Sequence, residues 1–301
     1  MKRGAGVGLS RLALVLGITA VVSGCASNPS DDGDGRHTWP HPPSVMDVGP
    51  RWCPNDRERI AYTHYPKDWD ELQELGGPTV WIVTVGTGRK ELVARGWVYD
   101  WLPDGTKLLC GGSDDDIWFV DLSTGDASMI LSEPQPLGEA DIDQSGEKIA
   151  YVVDDLRIGG IWVLSLGSMA KHRMSGGYHP SWRPDSAQII RDGLVIIRDD
   201  GTTVGAIPLP DTVISPEECC WRPDGGAVAF TGYRSASSHE RVYVVGLDGS
   251  DLKIVAEGGR CPSWSPDGGK IAYSGLTDDG KWVAIWTVNS DGTARTQITF
   301  P

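Results

Sequence analysis

The chain of 301 residues lacks the short motifs by which common catalytic sites are recognised. It contains no Gly-x-Ser-x-Gly nucleophile motif, no His-Glu-x-x-His zinc motif and no glycine-rich phosphate-binding loop. The sequence therefore predicts no catalytic constellation, no cofactor and no metal site. We expect a protein that is not an enzyme.

Basic residues are also scarce. There are 27 Lys and Arg against 41 Asp and Glu, which gives a formal net charge of −14. This balance disfavours nucleic acid and anionic lipid as partners, because both repel an acidic surface. It is compatible with a soluble surface, or with cationic partners and divalent ions.

Long apolar runs are lacking as well. The apolar stretch 12–22 is shorter than the roughly 20 residues that span a bilayer, and it follows Lys2, Arg3 and Arg11. This pattern predicts a signal peptide over residues 1–24. The segment Val-Ser-Gly-Cys at 22–25 resembles a bacterial lipobox, which implies cleavage before Cys25 and lipid attachment to it. The alternative is an ordinary secretory signal with an incidental cysteine.

Residues 25–48 are polar and rich in Pro and Gly, so we expect a lipidated flexible tether. A second possibility is that part of this segment adds a strand to the last repeat and latches the fold. The predicted location is extracytoplasmic, facing the periplasm or on the cell surface, with the lipid anchor as the sole membrane attachment.

Five cysteines remain after Cys25, and an odd number leaves at least one thiol free or paired between chains. Cys219 and Cys261 occupy similar positions in neighbouring repeats, so a disulfide between them is one hypothesis. The other is that the cysteines are small buried side chains. No Cys-x-x-Cys spacing points to zinc.

What the chain has in abundance is tryptophan, 13 residues, arranged in a repeat. The pattern Trp-x-Pro-Asp-Gly, followed by an Ile-Ala-Tyr type of strand, recurs about every 40 residues. In one degenerate copy Ile142 stands in the tryptophan column. The structural residues of the repeat are Trp52, Trp101, Trp182, Trp221 and Trp264 with Asp104, Asp185, Asp224 and Asp267.

Each copy contains an apolar segment downstream of the second strand, an Asp-Gly type of turn and a last short strand. Proline, aspartate and glycine are turn formers, and the β-branched and aromatic runs between them favour strands. We therefore predict an all-β fold, a six-bladed β-propeller with four antiparallel strands per blade. The tryptophans are predicted to fill the space between neighbouring blades.

This repeat resembles those of the TolB-like, WD-repeat-like β-propellers, over residues 49–301. The segment ahead of the first repeat is too short for the amino-terminal α/β domain of TolB. The resemblance implies a rigid disk that binds partners at its loops or at the mouth of its central channel.

Candidate partner-binding residues lie just before the tryptophan columns, at Tyr178, His179, Glu217, Glu218 and Arg260. His179 is alternatively a metal ligand, a general base or a structural residue. Two insertions, 63–78 with Trp69 and 232–239, are candidate binding loops, because function tends to collect in loops.

The stretch Asp141-x-Asp143-x-Ser-Gly-Glu has alternating carboxylates that could hold calcium, although the terminal glutamate of a calcium loop is replaced by Val152. The alternative is a decayed copy of the repeat motif.

These patterns favour a protein-interaction scaffold of the bacterial envelope, monomeric, with a protein partner. The alternative function is a glycan-binding or small-ligand-binding protein, or a polysaccharide-degrading enzyme, that uses the central channel. A cluster of His, Arg and Glu that converges in the channel would favour this alternative.

Overall fold

A computed structural model describes residues 45–66, 77–112, 115–185, 187–234 and 239–300. The described residues form strands β1 to β24 and one short 3-10 helix, Asp192–Leu194. The first four strands are β1 (Met46–Trp52), β2 (Arg59–Tyr65), β3 (Thr79–Thr84) and β4 (Lys90–Arg95). The next four are β5 (Trp97–Trp101), β6 (Lys107–Gly111), β7 (Ile117–Asp121) and β8 (Ala127–Leu131).

The following strands are β9 (Leu137–Ile142), β10 (Lys148–Val153), β11 (Gly160–Ser165) and β12 (Ala170–Ser175). Then come β13 (Ser181–Trp182), β14 (Gln188–Arg191), β15 (Val195–Arg198) and β16 (Thr203–Ala206). They are followed by β17 (Val213–Trp221), β18 (Ala227–Arg234), β19 (Glu240–Gly246) and β20 (Lys253–Glu257). The last are β21 (Gly259–Trp264), β22 (Lys270–Leu276), β23 (Val283–Asn289) and β24 (Thr296–Gln297).

The strands assemble into a propeller, which confirms the predicted all-β class. Four sheets of four strands each, β5–β8, β9–β12, β13–β16 and β17–β20, are separate blades. Each blade is a meander of antiparallel neighbours.

The predicted count of six separate blades is wrong, because the described residues form four. Strands β21–β24 and β1–β4 belong to a single sheet of eight strands, which is joined where β1 pairs in parallel with β23 at Met46 and Val283. The Val283 amide also donates to the carbonyl of Val45 at 3.2 Å. The chain just ahead of the first repeat thus hydrogen-bonds to the last repeat. This contact joins the sheets of the first and last repeats, which the repeat pattern predicts as two separate blades, into one sheet.

The tryptophan column packs each first strand against the preceding repeat. Trp101 is buried with Ala61 and Val80, and Trp182 with Ala150 and Val152. Trp264 packs in the same way on residues of β18 and β19. Burial of so large an apolar ring between sheets makes these contacts the main hydrophobic link from one repeat to the next.

The aspartates of the motif cap its turns. Asp104 Oδ1 accepts hydrogen bonds from the amide and hydroxyl of Thr106, at 2.9 and 2.8 Å. Asp224 and Asp267 accept from the amides two residues on, at 2.9 and 3.0 Å. Asp185 instead lies 2.9 Å from Nε of Arg183. These aspartates therefore have a structural role within their own turns, and candidate functional residues are to be sought at other positions of the first strands.

Candidate functional site

The first strands of all six repeats enclose a central cavity of about 450 Å³. Its wall is built from equivalent positions of the repeat. The −1 position, directly before the tryptophan column, contributes Arg51, Asp100, Asp141, Ser181, Cys220 and Ser263. The −3 position contributes Glu139, His179, Glu218 and Cys261. Both sets of residues line the cavity.

The backbone at the −3 position is unusual. His179, Glu218 and Cys261 have φ values of 56°, 52° and 53°, in the left-handed region that few non-glycine residues adopt. In β17 and β21 the register also shifts between this position and the −1 position. Such bulges re-aim side chains, and here they direct the −3 side chains at the cavity. Strain of this kind in a non-glycine residue is a pointer to function.

Several −1 side chains also hold the next repeat in place. Asp141 Oδ2 accepts from the Trp182 amide at 2.6 Å, and Asp100 Oδ2 accepts from the Ile142 amide at 3.2 Å. Ser263 Oγ accepts from the Trp52 amide at 2.9 Å. The −1 position is therefore both cavity wall and inter-repeat contact.

Asp100 and Asp141 are two partly buried carboxyl groups that lie next to each other in the cavity wall. Burial raises the pKa of both, and the charge of Asp100 raises the pKa of Asp141 further. Arg51 opposes this effect from β1, where its Nε donates to the Tyr99 carbonyl at 2.5 Å. The two carboxyls therefore hold a proton more readily than isolated aspartates do.

Glu139 and His179 face each other across neighbouring repeats, with Oε1 and Nδ1 2.7 Å apart. Burial by itself lowers the pKa of His179, but the negative charge of Glu139, supported by Glu218 and Glu217, outweighs it and raises this pKa to about 9. His179 is therefore a buried cation at neutral pH, which argues against a role as general base there.

Glu218 is the most completely bonded acid of the cavity. Its Oε1 accepts from Arg260 at 2.9 Å, and its Oε2 accepts from Thr231 Oγ1 at 2.7 Å and from the Cys261 amide at 2.8 Å. Burial raises the pKa of this carboxyl, but Arg260 and these bonds lower it to about 2. The charged form is thus fixed in place by the protein alone.

The predicted partner-binding residues do not all share one place. His179 and Glu218 line the cavity, and Arg260 lies beside Glu218 with its Nη1 3.6 Å from Glu240. Glu217 is next to this group, and burial together with Glu218 raises its pKa. Tyr178 is 38 % exposed and outside the cavity wall, where its amide donates to Asp192.

Arg51, Asp100, Glu139 and the cavity role of Asp141 escaped the sequence analysis. The −1 and −3 columns of the repeat, read with the two-residue alternation of a strand, would have indicated them.

The positions of the side chains contradict the hypothesis that the stretch at Asp141 binds calcium. Asp143 caps its own turn and accepts from the amides of Glu147 and Lys148, both at 2.8 Å, while Asp141 faces the cavity. Within the described ranges no group of three or more His, Cys, Asp and Glu could hold a metal ion.

Cys219 is a buried free thiol, so the hypothesis of a Cys219–Cys261 disulfide does not hold. Cys53, Cys110 and Cys220 are also free. Burial raises the pKa of each of these thiols, which makes them poor nucleophiles.

The signal peptide, Cys25, the tether up to residue 44, most of the first insertion with Trp69, and half of the second insertion lie outside the described residues. Among the residues that are described, no helix has the length and apolar character needed to cross a membrane.

No protein-family model matches the chain, and no curated protein matches it by sequence. Several solved structures, however, are similar to this chain in fold. TolB from Acinetobacter baumannii is similar at 15 % identity and a TM-score of 0.65, over 79 % of this chain and 75 % of that one. A protein described as TolB from Agrobacterium tumefaciens gives 17 % identity and 0.61, over 73 % and 88 %. Oligogalacturonate lyase from Vibrio parahaemolyticus gives 13 % and 0.54, over 85 % and 79 %. At these identities the likeness concerns the fold, and in fold this chain is a TolB-like β-propeller.

Proposed function

We propose that this chain is an extracytoplasmic, lipid-anchored propeller that binds a protein partner in the bacterial envelope through its central cavity. The predicted signal peptide and the lipobox at Cys25 support the location. The fold shared with TolB is compatible with this role. The chain acts as a monomeric binding scaffold and not as an enzyme, which equilibrium sedimentation and turnover assays test.

The single observation that carries the proposal is the set of charged side chains converging in the cavity. Arg51, Asp100, Glu139, Asp141 and His179 line it together with Glu218. Their positions are fixed by strands and by buried contacts to neighbouring repeats before any partner arrives. Pre-organised charges lower the entropic cost of binding and provide specificity.

Photo-crosslinking in the native envelope tests the partner. A crosslinking amino acid at Tyr178, which is exposed and adjacent to His179, is expected to capture a discrete partner. The matched control places it at Glu91, an exposed residue of the outer strand β4. Equal patterns from both positions would exclude a partner at the cavity mouth.

The anchor has its own test. Cys25→Ala is expected to abolish lipid labelling and to release the chain from the membrane, while Ala26→Ser, the neighbouring control, leaves both unchanged. A Cys25→Ala chain that remains membrane-bound would exclude lipid anchoring.

A second candidate function, glycan or small-ligand binding with or without polysaccharide cleavage, is favoured by one specific observation. His179, Arg51 and several carboxylates meet in the cavity, and such groups together donate to and accept from sugar hydroxyls. The fold shared with an oligogalacturonate lyase makes acidic oligosaccharides the first ligands to test. Release of reducing ends would show cleavage, saturation-transfer NMR would show binding, and failure of both would leave the protein-partner function alone.

A further inference from the structure

Glu139 is a buried carboxylate without a complete set of partners. The residue is 8 % exposed and lines the cavity. Apart from the close approach of His179 to Oε1, no hydrogen bond of good geometry reaches either of its oxygens from the described residues. Burying a charged group that is not fully hydrogen-bonded is costly, so the open oxygen indicates a donor that arrives from outside the protein.

The part of the cavity wall next to Glu139 is also lined by acidic side chains. Glu139 and Asp141 are two residues apart on β9, so they lie on the same face with their Cβ atoms about 7 Å apart. Asp100 of β5 lies next to Asp141. The cavity-lining residues of β5 and β9 include these three carboxyls and no basic side chain, whereas Arg51 and His179 flank them from β1 and from the segment that leads into β13.

A primary ammonium group fits this sector better than other cations. It is a compact charge with three donors, enough to reach Glu139 and Asp141 at once. A divalent ion such as calcium needs six to eight oxygen ligands, and among the described residues no group of ligands of the required kind exists. A planar guanidinium pairs preferentially with one carboxylate in a bidentate manner and holds its donors in one plane, whereas an ammonium can turn to meet two acceptors that point from successive positions of a strand.

We propose that the central cavity binds a primary ammonium group, held between Glu139 and Asp141. The proposal rests on the binding function given above and names the chemical class of the ligand. Free polyamines, a lysine side chain of a partner protein and an amino sugar all carry this group. The cavity of about 450 Å³ admits an aminoalkyl chain or one sugar ring.

Binding is linked to proton release. The pKa values of Asp100 and Asp141 are raised by burial, and a cation beside Asp141 favours ionisation of both. Arg51, Glu139, His179 and Cys220 are the other titratable or charged groups that face the pair. Affinity for an ammonium group therefore rises with pH until both carboxyls are ionised in the free protein.

Isothermal titration calorimetry of the mature chain tests the proposal with defined probes. Cadaverine, Nα-acetyl-lysine methylamide and glucosamine represent the three sources, and glucose, diacetylated cadaverine and calcium chloride are controls. At least one amine is expected to bind, and which one binds identifies the source. Repeating the titration in buffers of different ionisation enthalpy is expected to show proton release.

Glu139→Gln is expected to weaken amine binding tenfold or more, the magnitude of a lost charge-assisted hydrogen bond. Glu91→Gln is the matched control on an outer strand, and Glu139→Asp tests whether the charge is sufficient. Thermal unfolding of each variant shows whether it is folded. Binding of no amine, equal binding by folded Glu139→Gln, or binding of calcium in place of the amines would overturn the proposal.

The outcome is separable from that of the partner experiment. A partner that is captured from Tyr178 but not displaced by the amines, and that still binds Glu139→Gln, would refute the ammonium site and leave the protein-binding function standing. Amine binding that depends on Glu139, with no captured partner, would support the site and refute the protein partner.

Discussion

Replacement of Glu218 by glutamine is expected to be one of the most destabilising isosteric changes in the cavity. Glutamine retains an acceptor for Thr231 Oγ1 and for the Cys261 amide, but it removes the charge that balances Arg260. The Arg260 side chain is 14 % exposed, and the nearest remaining carboxylate among the described contacts, Glu240, is 3.6 Å away. A buried cation that loses its close partner is penalised by desolvation that is no longer offset.

Two independent routes give the magnitude. Removal of one member of a buried ion pair costs about 3–5 kcal/mol. The fall in the pKa of Glu218 from 4.5 to about 2 corresponds to about 3 kcal/mol by linkage. Because this pKa is depressed in the folded state, the contribution is present above pH 4.5 and is lost as the pH falls toward 2.

Urea unfolding at pH 7, followed by tryptophan fluorescence, measures the effect. Glu218→Gln is expected to lower the free energy of unfolding by about 3 kcal/mol, and its stability is expected to vary less with pH between 4.5 and 2 than that of the wild type. Glu217→Gln is the matched control, because burial and Glu218 raise the pKa of Glu217 and its charge opposes folding at pH 7. That variant should be as stable as the wild type or more so. Equal losses in the two variants would refute the electrostatic reasoning.

Three further changes test other parts of the structure. The pKa of His179 is raised from 6.5 to about 9, so its contribution to stability is complete below pH 6.5 and is lost as the pH rises through 9; His179→Gln should flatten this decline in urea unfolding curves. Trp101→Ala should cost about 3–5 kcal/mol in the same assay, and Trp162→Ala, at a partly exposed position, distinctly less. Gly96→Ala places a Cβ at φ +106° against a carbonyl oxygen of β6 and should lower the melting temperature, whereas Gly167→Ala, with open space around it, should not.

The sequence predicts the positions of the strands well, but it does not predict how the first and last repeats pair with each other. The tryptophan column, the Asp-Gly turns and the apolar third strands are local patterns with a period, so their positions follow from the residues themselves. The parallel pair between Met46 and Val283 does not, because it joins residues more than 200 positions apart and begins ahead of the first repeat. This one pairing turns two expected blades into a sheet of eight strands.

The site was partly predictable for a related reason. His179 and Glu218 are predicted because they stand just ahead of tryptophans, whereas Asp141 is considered with Asp143 either as a calcium ligand or as part of a decayed repeat, and neither interpretation places it in the cavity wall. The end of β9 separates the two, so one faces the cavity and the other caps a turn. The alignment of the repeats marks this boundary at Ile142, whereas the pattern of alternating carboxylates runs across it.

The −1 and −3 positions of the cavity wall differ in how far their side chains are already hydrogen-bonded within the protein. This difference indicates Glu139 as the residue that is most available to bind a ligand. At the −1 position the choice of side chain is constrained, since Asp100, Asp141 and Ser263 each accept from the backbone of the next repeat. At the −3 position Glu218 is saturated by Arg260 and two further donors, whereas Glu139 has none beyond the approach of His179. Several other buried polar atoms of the described residues, such as Asp47 Oδ2, also have no hydrogen-bond partner, but Glu139 is the carboxylate among them that lines the cavity, where a donor carried by a ligand completes its hydrogen bonds.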